Sequence, residues 1–119
     1  MFDNAILDFT RLREAFEDDT AGIVELLEMA LDTGARHLAA LRDGVAGCAA
    51  EVVARAAHSI KGSSSNIGAV RVAHLTEMLE DALRAKNWTE VERLVIDLDA
   101  AYEQLREAVA NYRAQVAPP

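Results

Sequence analysis

Apolar residues recur along the chain at intervals of three and four, the spacing that places them on one face of an α-helix. No segment sustains the two-residue alternation that is typical of a half-buried β-strand. The pattern predicts five helices. The first runs from about Ala5 to Phe16, and the second begins after Asp18 or Asp19 and ends at Gly44 or Gly47. The other three run from about Ala49 to Ile67, from Val70 to Lys86 and from Thr89 to about Arg113.

Four of these helices are long, and the turns between them are short. Their apolar stripes are therefore buried most economically between antiparallel neighbours. The predicted fold is all-α, an antiparallel up-and-down four-helix bundle with the short first helix as a cap on one end.

Capping residues mark the ends of the predicted helices. Asp18 or Asp19 can cap the second helix, and Gly68 suits the left-handed conformation that stops the third. Thr89 followed by Glu92 has the S/T-x-x-E form of a capping box at the start of the fifth. Proline occurs only at positions 118 and 119, so no earlier residue forbids a long helix.

The composition agrees with one helical domain. The 119 residues are 51% apolar but only 5% aromatic, so Ala and Leu supply most of the apolar surface, as they do in helix seams. We expect a single domain over residues 1–119, with residues 116–119 as a loose tail.

The charge and the ends of the chain exclude several classes of function. A formal net charge of −8 argues against nucleic acids and anionic membranes as partners, since both would repel the chain. The first residues include acids where a secretory signal has Lys or Arg, and the longest uncharged run, Gly44–Ala50, is far shorter than the ~20 residues of a membrane span. We expect a cytoplasmic protein.

The single Cys48 cannot form an internal disulfide and is expected to be a small buried thiol.

One passage of the third helix is unfavourable for a helix interior. It reads His58-Ser59-Ile60-Lys61-Gly62-Ser63-Ser64-Ser65-Asn66. A glycine in the middle of a helix costs about 0.8–1.0 kcal/mol relative to alanine, and Ser and Asn are mediocre helix formers. Because such local violations concentrate at functional sites, we expect the site to lie here.

Helical geometry places His58 opposite the apolar side of this helix. The core side comprises Ala49, Val52, Val53, Ala56, Ile60 and Ile67. The surface neighbours of His58 are Glu51, Arg55, Lys61, Gly62 and Ser65. His58 is therefore predicted to stand exposed in the middle of a rigid helix, whereas Ser63 and Ser64 face the core flank and serve packing.

The residues around His58 suit chemistry at its ring. A neutral imidazole is a nucleophile. Lys61, one turn away, would favour the neutral ring and would offset part of the charge of an attached phosphoryl group. Gly62 would let another protein's backbone approach, and Ser65 could donate a hydrogen bond. The residues alone indicate a docking site built around an exposed histidine.

The segment that begins at His58 resembles the H-x-x-K-G-x-x-x-x-x-G motif of histidine-containing phosphotransfer (HPt) domains of bacterial phosphorelays. His58, Lys61, Gly62 and Gly68 stand at its four fixed positions. The Ile-Leu-Asp-x-x-x-Leu opening, the long Leu-rich second helix and Leu-Glu at residues 79–80 also fit this family. The resemblance implies a helical bundle in which His58 accepts a phosphoryl group from an aspartyl-phosphate receiver domain and passes it to another receiver.

The resemblance also implies a role for each site residue. Lys61 would assist the phosphate electrostatically, and Gly62 would keep the approach open. Glu80, at a position where family members often have Gln, would hydrogen-bond the other imidazole nitrogen. Transfer would run in line between the receiver's Asp and His58, with Mg²⁺ supplied by the receiver's acidic pocket and no cofactor bound by this chain.

The sequence has no nucleotide-binding motif. Lys61 precedes Gly62, the reverse of the Gly-Lys order of a P-loop, and no G-x-G-x-x-G occurs. We therefore expect a phosphocarrier that does not phosphorylate itself from ATP, and so not an enzyme in the ordinary sense. The expected partners are receiver domains and a sensor or hybrid histidine kinase, and the expected state is a monomer.

Three other functions fit a helical bundle. A di-metal bundle would need Glu three residues before a histidine, but Gly34, Arg55 and Arg71 stand three residues before the three histidines, so no metal site is expected. A kinase dimerisation domain would need an attached ATP-binding domain, for which the chain is too short. A scaffold that binds receiver or kinase domains without transfer stays open, although intact His58 and Lys61 argue against it.

Overall fold

The computed structural model describes residues 6–117. These residues form five helices and no strand: α1 (Phe9–Ala15), α2 (Thr20–Ala46), α3 (Ala50–Ile67), α4 (Val70–Arg84) and α5 (Trp88–Val116). Connections of two or three residues join α2 to α3, α3 to α4 and α4 to α5, so each helix runs antiparallel to the one before it. The prediction of an all-α, up-and-down bundle is confirmed.

The four long helices form a closed square in cross-section. α3 packs against α2 and α4, and α5 closes the bundle by packing against the same two helices. α3 and α5 therefore lie diagonally opposite each other. None of the described helices combines the length and the apolar run that a membrane span needs.

Two of the predicted helix ends are confirmed by their caps. The Asp19 carboxylate accepts a hydrogen bond from the backbone N–H of Gly22 at 3.2 Å and begins α2. Gly68, at φ +74°, ends α3 in the left-handed conformation, where a side chain would be strained. The start of α2 and the end of α3 are therefore both set by the chemistry of the capping residue itself.

The predicted start of α5 is wrong. Trp88 and Thr89 are already helical, and the side chain of Asn87 caps the helix by accepting from the backbone N–H of Glu90 at 3.2 Å. Asn ranks above Thr as a capping residue, which is why the helix begins earlier than a capping box at Thr89 would place it.

The two ends of the bundle also differ from expectation. α1 is shorter than predicted, since it begins at Phe9, and the expected start at Ala5 lies outside the described residues. α5 continues to Val116, so the first residue of the expected tail is helical. Ala117 is not helical, and residues 118–119 lie outside the described part.

Two residues that were expected to be buried are exposed. Val52 is 41% exposed because Val53 and Ala57, both fully buried, occupy the centre of the seam and leave Val52 at its edge. Cys48 is also exposed, because it lies at φ +50° in the turn between α2 and α3 and not in a helix seam.

α2 and α5 are held together at a close contact between Gly34 and Tyr102. The Tyr102 hydroxyl donates to the backbone carbonyls of Leu31 at 2.8 Å and Ala30 at 3.2 Å. Burial raises the pKa of Tyr102, which favours the neutral hydroxyl that this bond requires. A Cβ on Gly34 would lie 2.7 Å from Cζ of the same ring, so no larger residue fits there.

Gly34→Ala should therefore destabilise the protein by about 1–3 kcal/mol, although alanine is the better helix former, because the added methyl group must displace the Tyr102 ring. Urea unfolding measures this loss. Gly62→Ala is the matched control, since nothing lies within 4 Å of a Cβ at that position, and it should be neutral or stabilising. A Gly34→Ala protein as stable as the unsubstituted one would contradict the contact.

Candidate functional site

His58 lies in the middle of α3 on the side that faces solvent. Ala57 and Ile60, its near neighbours in sequence, are buried and fix the rotation of the helix. The His58 side chain is exposed and has no hydrogen bond to any residue in the described range 6–117. The prediction of an exposed histidine in the middle of a helix is confirmed, and no residue of the described range holds a ring nitrogen in a hydrogen bond.

Lys61 lies one turn after His58 on the same face of α3. Its ammonium group forms an ion pair with the carboxylate of Glu80 on α4, with Nζ and Oε1 3.0 Å apart. Lys61 thus places a positive charge one turn from His58, where it is paired with a carboxylate of the next helix. Glu80, which the resemblance places against the imidazole, here pairs with Lys61 instead.

Gly62 faces solvent beside His58 and Lys61. A Cβ built on this residue meets no atom within 4 Å, so the packing of the bundle does not require glycine here. The residue nevertheless weakens the helix by about 1 kcal/mol relative to alanine. What glycine provides at this position is a surface without a side chain next to the histidine.

The C-terminal half of the site is covered in part by α1. Arg11 donates from a guanidinium nitrogen to the backbone carbonyl of Ser65 at 3.2 Å, and the N–H of Asp8 donates to the carbonyl of Gly68 at 2.8 Å. The Ser65 side chain is exposed on the His58 face, as predicted. Arg11 is a site neighbour that sequence reasoning missed, because it lies 54 residues from Ser65 and carries no local signal.

The two serines that were assigned to packing do face the bundle. Ser64 is 4% exposed, and the Ser63 hydroxyl donates to the backbone carbonyls of Ser59 at 3.1 Å and Ile60 at 3.3 Å. Small side chains at these positions let α3 lie close to its neighbours.

A shallow groove of about 220 Å³ runs between α2 and α3. Val52, Arg55, Ala56 and Ser59 line its α3 side. The exposed Val52 thus contributes apolar area to this groove. A larger groove of about 580 Å³ lies between the start of α2 and the end of α5, away from the His58 face.

The described residues show no group of three or more His, Cys, Asp or Glu side chains arranged to hold a metal ion. The chemistry that the site can perform with its own groups is nucleophilic attack by the imidazole, next to a lysine charge and an unobstructed surface.

The model of the Hpt domain family matches residues 25–108, a range that contains His58, Lys61, Gly62, Ser65 and Glu80. Among solved structures, the chain is similar to histidine-containing phosphotransfer protein B (HptB) from Pseudomonas aeruginosa, with 25% identity, a TM-score of 0.82 and coverage of 94% of this chain and 97% of that one. A second similar structure is the HPT domain from the Hpt sensor hybrid histidine kinase of Shewanella, which shares the fold at 18% identity and a TM-score of 0.77, with coverage of 98% of this chain and 100% of that one. A search among curated proteins found no match.

The exposure of His58 leads to a prediction about stability. His58→Gln should change the free energy of unfolding by less than about 0.5 kcal/mol, because the ring packs against nothing that folding depends on. Ile60→Ala, two residues away on the buried side, should cost about 2–5 kcal/mol in the same urea titration. A large loss of stability in His58→Gln would show that the histidine is part of the core.

Proposed function

The chain belongs to the Hpt domain family, whose members transfer phosphoryl groups through histidine in phosphorelays, and we propose that His58 is the residue that carries the phosphoryl group. The observation that supports this assignment is the arrangement on α3. His58 is exposed and without a hydrogen bond in the described residues, it stands at the first position of the family's motif, and Lys61 and Gly62 follow it on the same face.

The proposed reaction is an in-line transfer from an aspartyl phosphate of a receiver domain. The lone pair of the unprotonated ring nitrogen of His58 forms the N–P bond, and the acyl O–P bond of the aspartyl phosphate breaks. The receiver's carboxylate leaves with the electrons of that bond, while the proton on the other ring nitrogen stays in place. Transfer to the next receiver is the same step in reverse.

Three neighbours of His58 have a role in this scheme. Lys61 offsets part of the phosphoryl charge. Gly62 leaves the surface bare, so that the receiver's backbone can bring its aspartyl phosphate into line with the ring. Ser65 presents a hydroxyl on the same face and can donate to a phosphoryl oxygen or to the partner.

The remaining requirements fall on the partner. We expect the acidic pocket of the receiver to bind the Mg²⁺ that neutralises charge during transfer. Because the sequence contains no P-loop or G-x-G-x-x-G motif, we propose that the chain does not use ATP and that its donor in the relay is a phosphorylated receiver domain or a kinase.

We also propose that the chain acts as a monomer. The apolar stripe of α5, which has the spacing that could form a seam between two copies, is buried inside the chain's own bundle. Its buried members include Leu94, Leu98, Leu105 and Tyr112. No comparable stripe of α5 is left for a second copy.

Incubation with phosphorylated receiver domains and Mg²⁺ should label the protein with an acid-labile, alkali-stable phosphoryl group that maps to His58. His58→Gln should abolish the label. His74→Gln, which removes the other exposed histidine of the described chain, is the matched control and should keep it. Receiver binding without any label would instead establish a scaffold that does not transfer.

Gly62→Leu should keep the fold and slow the transfer by about tenfold or more, because a side chain beside His58 holds the two reacting groups apart. Ala100→Leu adds the same exposed side chain to α5, diagonally across the bundle, and should leave the rate unchanged. The rate of label transfer from a phosphorylated receiver measures both. Equal rates for the two variants would remove Gly62 from the docking surface.

A further inference from the structure

The ion pair between Lys61 and Glu80 connects α3, which carries His58, to the neighbouring α4. Nζ and Oε1 are 3.0 Å apart, and the Glu80 side chain is 19% exposed, about half the value for Lys61. Leu79, next to Glu80, is fully buried and fixes the rotation of α4. The carboxylate is therefore held at the edge of the bundle, and the longer lysine side chain reaches to it.

This contact changes what Lys61 can offer to a phosphoryl group. An ammonium group has three donors, so Lys61 can bind a phosphoryl oxygen while it still donates to Glu80. Its net attraction for the new anion is reduced, however, because the carboxylate already offsets its charge. The phosphoryl group and Glu80 must share the charge of Lys61.

We propose that Glu80 is a positioning residue that acts through Lys61: it holds the ammonium group beside His58 and, by offsetting its charge, keeps the phosphorylated histidine poorly stabilised and easily discharged. This inference rests on the proposed function of His58. It differs from a direct contact between Glu80 and the imidazole, because within residues 6–117 the only ion pair of Glu80 is with Lys61.

A carrier benefits from such an arrangement. If Lys61 were free, it would bind the phosphoryl group more tightly, and the equilibrium would favour phosphorylated His58 over the receiver that must accept the group next. With Glu80 in place, the cation is in position for transfer but does not trap the phosphoryl group.

Glu80→Gln tests the proposal because it keeps the shape of the side chain and removes its charge. The phosphorylated proteins are prepared with phosphoramidate, a small-molecule donor that needs no partner, and are then mixed with an unphosphorylated receiver and Mg²⁺. At equilibrium Glu80→Gln should retain the phosphoryl group about two- to fivefold more strongly than the unsubstituted protein, the size of effect that partly exposed ion pairs produce. The difference should shrink as salt is added.

Two further variants separate the role of the pair from that of charge alone. Asp81→Asn removes one carboxylate from the next position of α4 and breaks its ion pair with Arg84, so it is matched in charge and should behave like the unsubstituted protein. In a Lys61→Ala background, Glu80→Gln should have no effect, because the residue through which it acts is gone.

The outcomes are distinguishable. Equal retention by Glu80→Gln and Asp81→Asn would overturn the inference and leave the proposed function intact. An effect of Glu80→Gln that persists in Lys61→Ala would also overturn it, in favour of direct contact with the imidazole. Failure of the unsubstituted protein to form phosphohistidine with phosphoramidate or with any receiver would overturn the proposed function, and the inference with it.

Discussion

The rotation of α3 about its own axis is the constraint on which the site depends. Val53, Ala57, Ile60 and Ser64 follow one another at intervals of three and four residues and are buried between α2 and α4. With neighbours on two sides, the helix cannot turn without exposing this stripe. His58 lies about 100° beyond Ala57 around the helix, on the side that the stripe leaves to solvent. The same packing that stabilises the bundle therefore presents the histidine.

The helix that carries the site is intrinsically weak, and the rest of the bundle offsets this weakness. Gly62 and the three serines after it are poor helix formers, and none of the fold's contacts requires Gly62. The diagonally opposite helix, α5, shows the reverse: Gly34 of α2 fits closely against its Tyr102, whose hydroxyl bonds to the backbone of α2. Glycine thus allows close packing at residue 34 and leaves an open surface at residue 62. Only the residues around each position distinguish these two roles.

The sequence predicts those parts of the structure that depend on spacing along one helix. The helix pattern, the cap at Asp19, the stop at Gly68 and the exposure of His58 all belong to this class. The features near the site that it misses depend on neighbouring helices. Whether Val52 is buried is decided by where α2 lies, and Arg11 reaches the site only because α1 docks on the turn after α3. The roles of the site residues are inferred from the motif, and measurements of phosphoryl transfer are needed to test them.

The charges near His58 explain why the whole chain's charge is a poor guide to its chemistry. The net charge is −8, yet in water at physiological salt a surface charge is screened within about 8 Å, so a group on His58 responds mainly to its closest neighbours. These include Glu51 and Arg55, which form no ion pair within the described residues, and Lys61, which shares its charge with Glu80. A phosphoryl group on the ring therefore meets two cations and two carboxylates, and its attraction to the protein depends on how their charges are shared. The Glu80 carboxylate on the next helix decides how much of the Lys61 charge is left for the phosphoryl group.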